Sequence, residues 1–126
     1  FRLYILNFEL LKTENKILEL SFSFALQIIE LYKKLQEKKE FVISKQVLRS
    51  GTSIGANIEE ATAAQSRKDF ISKMAIASKE ARETRYWLRL LEKSKLIDID
   101  YSPCIESITH IINILTKIVK TTQETT

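Results

Sequence analysis

Glycine and proline are nearly absent from this 126-residue chain, which holds two Gly and one Pro. A β-rich fold with many tight turns needs more of both, so long helices with few connections are expected. Cysteine is equally scarce. The lone Cys104 excludes an intramolecular disulfide, suits a reducing cytosol and reads as a small packing residue. The single histidine, His110, cannot supply the two Glu-x-x-His pairs of a bundle di-iron site, and Glu106 stands at Glu-x-x-x-His spacing instead. No uninterrupted apolar run approaches the ~18 residues of a membrane span. The richest stretch, residues 17–35, is broken by Glu19, Gln27 and Glu30. The opening "FRLYILNFELLK" lacks the basic, apolar, small-residue order of a secretory leader. Residues 1–13 read as an N-terminal extension, and a cytoplasmic location is expected.

What remains is a soluble composition, 44% hydrophobic and 29% charged, sized for one domain with a core of its own. The net charge of +4 is unevenly spread. Between Arg67 and Lys95, nine Lys or Arg stand against four Asp or Glu, so one segment carries the whole excess.

Hydrophobic spacing predicts four helices in residues 14–122, followed by a polar tail at 123–126. The first, over about 14–38, carries a bundle stripe of Leu18, Phe22, Ala25, Ile29 and Tyr32. A second stripe, Ile17, Leu20, Phe24, Ile28, Leu31 and Leu35, runs alongside it. A helix apolar on two sides is buried on two sides, which predicts self-association. The run "QEKKE" then reads as a solvated helix end. The second helix, about 44–64, puts Val47, Gly51, Ile54, Ile58 and Ala61 on one face. Ser66 is placed to cap the third, with Asp69 three residues on. There Phe70, Met74, Ala77, Ala81, Thr84, Leu88 and Leu91 repeat at 4-3-4-3-4-3. Ser102 is expected as the N-cap of the fourth and Pro103 as its first helical residue, and the helix continues through Ile105, Ile108, Ile112, Leu115 and Val119. Short connections between four helices predict an all-α, up-and-down antiparallel bundle.

Both glycines lie in "SGTSIGAN", residues 50–57. A phosphate-cradling loop needs Gly-Lys-Ser/Thr, which is missing, and the apolar period does not stop at Arg49. Gly51 and Gly55 therefore belong to one helix face, where each costs about 1 kcal/mol relative to alanine. Close approach of a neighbouring helix is the expected offset. Gln46, Arg49, Ser53, Asn57 and Glu60 form a polar ladder on another side, at spacings of 3, 4, 4 and 3. Such a ladder is either a solvated face or a network that fixes helix register or a subunit contact.

Opposite the core stripe of the third helix lies a basic one: Lys68, Ser72, Ala75, Lys79, Arg82, Tyr86, Arg89 and Lys93. Cations at this spacing can follow a phosphate backbone, and Tyr86 can stack on an unpaired base. The same stripe also serves simple solubility. No nucleophile with an adjacent base, cofactor fingerprint or metal-ligand cluster is present, so neither catalysis nor a bound cofactor or metal is expected.

The stretches "SKQVLRSGTSIGANIEEA" and "SRKDFISKMAIASKEARETRYWLRLL" closely resemble a bacterial four-helix-bundle family. That family includes proteins encoded within intervening sequences of 23S ribosomal RNA genes, and it resembles the accessory protein of diversity-generating retroelements. Its pattern Gln-x-x-Arg-x-x-x-Ser-Ile-x-x-Asn-Ile-x-Glu is met by Gln46, Arg49, Ser53, Ile54, Asn57, Ile58 and Glu60. Phe70, Ala77, Glu83, Tyr86 and Trp87 also fit. One departure falls at Lys79 and Glu80, where many members carry small residues. The resemblance implies a homopentameric ring and moves the polar ladder towards a structural or interface role. Two functions follow as expectations. One is a nucleic-acid-binding accessory protein, contacting RNA or a ribonucleoprotein through the basic stripe. The other is an oligomeric protein-interaction scaffold that binds no nucleic acid. Neither reading involves a membrane or a small-molecule substrate.

Overall fold

The computed structural model describes residues 8–124, and the described residues form four helices and no strand. These are α1 (Phe8–Glu37), α2 (Ile43–Thr62), α3 (Arg67–Ser94) and α4 (Ser102–Glu124). Cross-helix contacts establish the antiparallel order. Gly51 and Gly55 of α2 face Ile28 and Ser21 of α1. Arg49 and Glu60 of α2 reach Glu83 and Lys73 of α3, and Arg82 of α3 reaches Thr116 of α4. In each pair of helices, residue numbers rise on one and fall on the other. The bundle closes with α1 against α4.

The predicted stripe of α3 is buried in full, from Phe70 to Leu91, and so is that of α2. On α1 the two stripes part company. Ile17, Phe24, Ile28, Leu31 and Leu35 enter the core, joined by Ser21. The stripe expected to face the bundle does so only in part: Leu18 packs against the core and Ala25 and Tyr32 are half-buried, but Phe22 is 64% exposed and Ile29 39%, with Leu26 between them at 53%. Both stripes have helical spacing, but a helix can turn only one arc towards α2 and α4. On α4 the buried arc is rotated from the expected one, to Cys104, Ile108, Ile111, Ile112, Leu115, Ile118 and Thr122.

Element boundaries also shift. Helix α1 starts at Phe8, so residues 8–13 of the expected extension are helical, while its first seven residues lie outside the described part. Helix α4 continues to Glu124, into the expected tail, whose last two residues also lie outside. At the start of α3 the Ser66 hydroxyl accepts the Asp69 N–H at 3.0 Å, as the sequence predicts. At the start of α4 the cap moves back by one residue. The Tyr101 carbonyl accepts from the Ile105 N–H, while the Asp100 carboxylate takes both the N–H and the hydroxyl of Ser102.

The "QEKKE" corner is solvated at Glu37, Lys38 and Lys39, as expected, but its last residue, Glu40, is buried. Helix α1 closes in a Schellman turn: the Glu40 N–H donates to the Leu35 carbonyl, the Lys39 N–H to that of Gln36, and Lys39 takes a left-handed φ of 65°. The Glu40 carboxylate then caps α2, accepting the N–H groups of Val42 and Ile43 at 3.2 Å and of Ser44 at 2.6 Å. Gln36 braces the corner, donating to the Glu40 carbonyl and the Ser44 hydroxyl.

Residues 50–57 are helical, and neither glycine has a positive φ. Their roles differ. A Cβ on Gly51 would lie 3.1 Å from both Cγ1 and Cγ2 of buried Ile28, closer than side chains normally pack. One on Gly55 would come no nearer to Ser21 than 3.5 Å, an ordinary contact. Close approach therefore holds for Gly51 and not for Gly55. Gly55→Ala should raise the unfolding free energy in urea by roughly 0.5–1 kcal/mol, through helix propensity and a less flexible unfolded chain. Gly51→Ala gains the same propensity but must displace Ile28, so its net effect should be lower by about 1 kcal/mol or more. Equal effects would remove the packing explanation.

Candidate nucleic-acid interface

Helix α3 sorts its charges by face. Lys68, Lys79, Arg82, Arg89 and Lys93 are all exposed, and Tyr86 among them is 58% exposed. The helix's carboxylates point elsewhere. Glu83 pairs with Arg49 of α2, and Glu80 lies 3.6 Å from the same guanidinium. Asp69 accepts the N–H of Gln65 at the helix start. Only Glu92 sits beside an outward cation, Lys93, at 3.7 Å. The sequence suggests that Lys79, Arg82 and Arg85 answer Glu80 and Glu83, but the guanidinium that does so comes from α2. A neighbouring helix thus absorbs Glu80 and Glu83 and leaves the basic side of α3 with one carboxylate, Glu92 beside Lys93.

The polar ladder of α2 divides in two. Its charged members cross to α3: Arg49 to Glu80 and Glu83, and Glu60 to Lys73 at 3.9 Å. Its neutral members stay local, Ser53 donating to the Ser50 carbonyl and Asn57 to that of Ser53. Gln46 is exposed, and its side chain meets no partner among the described residues. The Arg49 contact extends further, because the Glu83 carboxylate also accepts the Trp87 indole N–H at 3.2 Å. Trp87 in turn stands edge-on to Tyr86, with ring centroids 5.1 Å apart. The orientation of the exposed tyrosine is therefore tied to α2 through Trp87, Glu83 and Arg49.

Two further pairings escape the sequence. Inside the α2–α3 seam the Thr84 hydroxyl lies 2.9 Å from that of Ser50, both fully buried. Thr84 falls on the predicted core stripe, but a stripe does not say which hydroxyl meets it. Beside the basic face, Arg82 donates to Thr116 of α4 at 3.3 Å, and Lys120 lines the same groove.

The 23S rRNA-intervening sequence protein model matches residues 13–117. The chain belongs to this family. A crystal structure of a protein of unknown function from Bacteroides thetaiotaomicron, assigned to the S23 ribosomal protein family, is 52% identical. It superposes with a TM-score of 0.82 over 86% of this chain and 98% of that one. The comparison with curated proteins gave no match. In this member of the 23S rRNA-intervening sequence family, then, Arg49 of the α2 ladder meets Glu80 and Glu83 of α3, and Glu60 meets Lys73.

Elsewhere the surface offers little chemistry. His110 is exposed on α4, lining an open groove with Gln27 and Glu106. Cys104 is buried, and burial pushes its thiol above the ordinary range, away from the reactive thiolate. Among the described residues no three His, Cys, Asp or Glu side chains gather as metal ligands would. None of the helices described is long and apolar enough to cross a membrane.

Proposed function

We propose that this protein is a non-enzymatic nucleic-acid-binding accessory protein of the cytoplasm, contacting RNA or an RNA–protein complex through the outward face of α3. One observation supports the reading above others: three of the four carboxylates of α3 are engaged at its α2 seam and its N-terminus, and the fourth, Glu92, meets only Lys93, while Lys68, Lys79, Arg82, Arg89 and Tyr86 face solvent. A helix needing charge only for solubility has no reason to sort it by sign. Mixed signs serve that purpose better. The family's link to 23S ribosomal RNA genes points the same way. We further propose that five chains form a ring joined through the apolar outer face of α1. A ring repeats the basic face and lets weak contacts act together.

Affinity for structured RNA should fall steeply between roughly 50 and 200 mM salt if several phosphates are held per site. Combining Lys79→Glu, Arg82→Glu and Arg89→Glu should weaken binding at least about tenfold at the lower salt. All three side chains are exposed, so circular dichroism should report an unchanged fold. RNA binding unaltered by this triple substitution ends the reading.

The alternative is an oligomeric scaffold for a protein partner. It draws on the same exposed Phe22, Leu26 and Ile29 and needs no nucleic acid. Salt-insensitive association with a protein, in a preparation that ignores RNA, would favour it.

A further inference from the structure

The basic face of α3 borders a groove, and the groove has the chemistry of a strand-binding channel. Along the α3–α4 seam, Lys68, Ile71, Ala75, Ser78 and Arg82 follow one another at spacings of 3, 4, 3 and 4, the ridge that overlooks α4. Thr116, Val119 and Lys120 of α4 form the opposite wall beside Ala75, Ser78 and Arg82, and Gln123 alone does so beside Lys68 and Ile71. Two shallow, open depressions of about 290 Å³ each lie along this seam and share Gln123 at their border. Cations stand at both ends, Arg67 and Lys68 at one and Arg82 at the other, with Lys120 on the α4 wall between them, and no carboxylate lines either depression. Between them the floor is small and uncharged, at Ala75 and Ser78. Thr116 and Ser78 add hydroxyls that can donate to phosphate oxygens.

We infer that the α3–α4 groove seats the sugar-phosphate backbone of a single nucleic-acid strand, with Lys68, Arg82 and Lys120 as its phosphate contacts. From Lys68 to Arg82 the helix rises about 21 Å. That is room for a few extended nucleotides, near the lower end of the ~4–16 nucleotides that single-strand-binding folds cover. A duplex is too wide for a channel walled by two adjacent helices, whereas one strand can lie along it with its bases turned outward. Tyr86 is one turn beyond Arg82 on the outward face, where a base leaving the groove can stack. This inference rests on the nucleic-acid reading of α3 and adds to it: Lys120, Thr116 and Ser78 come from outside the basic stripe, and the ligand becomes a single strand.

The test is fluorescence anisotropy with a labelled 12-nucleotide oligouridylate at 50 mM salt. A charge-neutral plug, Ala75→Leu with Ser78→Leu, fills the floor and leaves every cation in place. It should weaken binding at least tenfold, and Lys68→Glu with Lys120→Glu should do the same. A hairpin duplex should bind more weakly than the single strand and respond less to the plug. Wild-type affinity in the plugged protein, with the Lys79, Arg82 and Arg89 reversals still abolishing binding, overturns the groove and leaves the basic face standing. No binding of any RNA by the wild-type protein overturns both. Displacement of the oligonucleotide by polyglutamate at equal charge concentration overturns the strand assignment in favour of an acidic protein partner.

Discussion

Phe22→Glu combined with Leu26→Lys is expected to turn the proposed ring into a monomer. Light scattering should then read the 14.6 kDa of one chain in place of five times that mass. Among the described side chains of α1, Phe22 and Leu26 are the most exposed apolar ones, and they lie four residues apart, a turn of one face. With Ile29 they present a contiguous apolar strip for which one chain has no use. Burying each against a neighbour is worth about 1.5–3 kcal/mol, and a charge forced into the same place reverses the sign. The fold should survive, since neither side chain enters the core, and Glu followed by Lys at i, i+4 supports an isolated helix by a few tenths of a kcal/mol. Two results count against the assembly. A wild-type monomer would remove the ring and the avidity it lends to RNA binding. A doubly substituted protein that stays oligomeric would move the interface off α1.

How far the sequence carries depends on what each helix was asked to bury. Helices α2 and α3 each have one apolar arc, so Val47 to Ala61 and Phe70 to Leu91 could be read directly from spacing. Helix α1 has two arcs of equal regularity. Spacing alone cannot choose between them, because the choice is made by what α2 and α4 present. Isoleucines crowd α4, and spacing is ambiguous there for the same reason: Ile108, Ile112 and Leu115 are buried as expected, while Ile111 and Ile118 take inward positions beside the half-buried Ile105 and Val119. The candidate interface was legible as a stripe, since Lys68 to Lys93 recur at helical intervals. Its electrostatic isolation was not. That depends on Arg49 reaching Glu80 and Glu83 across more than thirty residues of chain, a contact that no local pattern encodes. The groove was hidden likewise, because Lys120 and Thr116 acquire meaning only once α4 lies beside α3.

In the corner after α1, the buried Glu40 carries the largest stability effect expected here. Glu40→Ala should destabilise the protein by about 2 kcal/mol, at the upper end of helix-cap losses. Three N–H groups at the start of α2 lose one acceptor together, and the bond to Ser44 among them is buried. Burial alone would raise the pKa of this carboxyl. The opposing hydrogen bonds from the backbone of Ser44, Ile43 and Val42 outweigh it, and the net shift is downward. A pKa lower in the folded than in the unfolded chain adds stability above the unfolded value and loses it as pH falls through the folded one. The gap between wild type and Glu40→Ala, measured by urea denaturation, should therefore hold its full size near neutrality. It should shrink in acid, below the ordinary carboxylate range, as Glu40 takes up its proton and the wild-type cap weakens. A gap that stays constant down to acid pH would mean that the corner depends on packing by Gln36 and Ser44, not on the ionised carboxylate. The "KKE" that looks like solvated charge in the sequence would then be a turn held by its backbone, with Glu40 incidental to it.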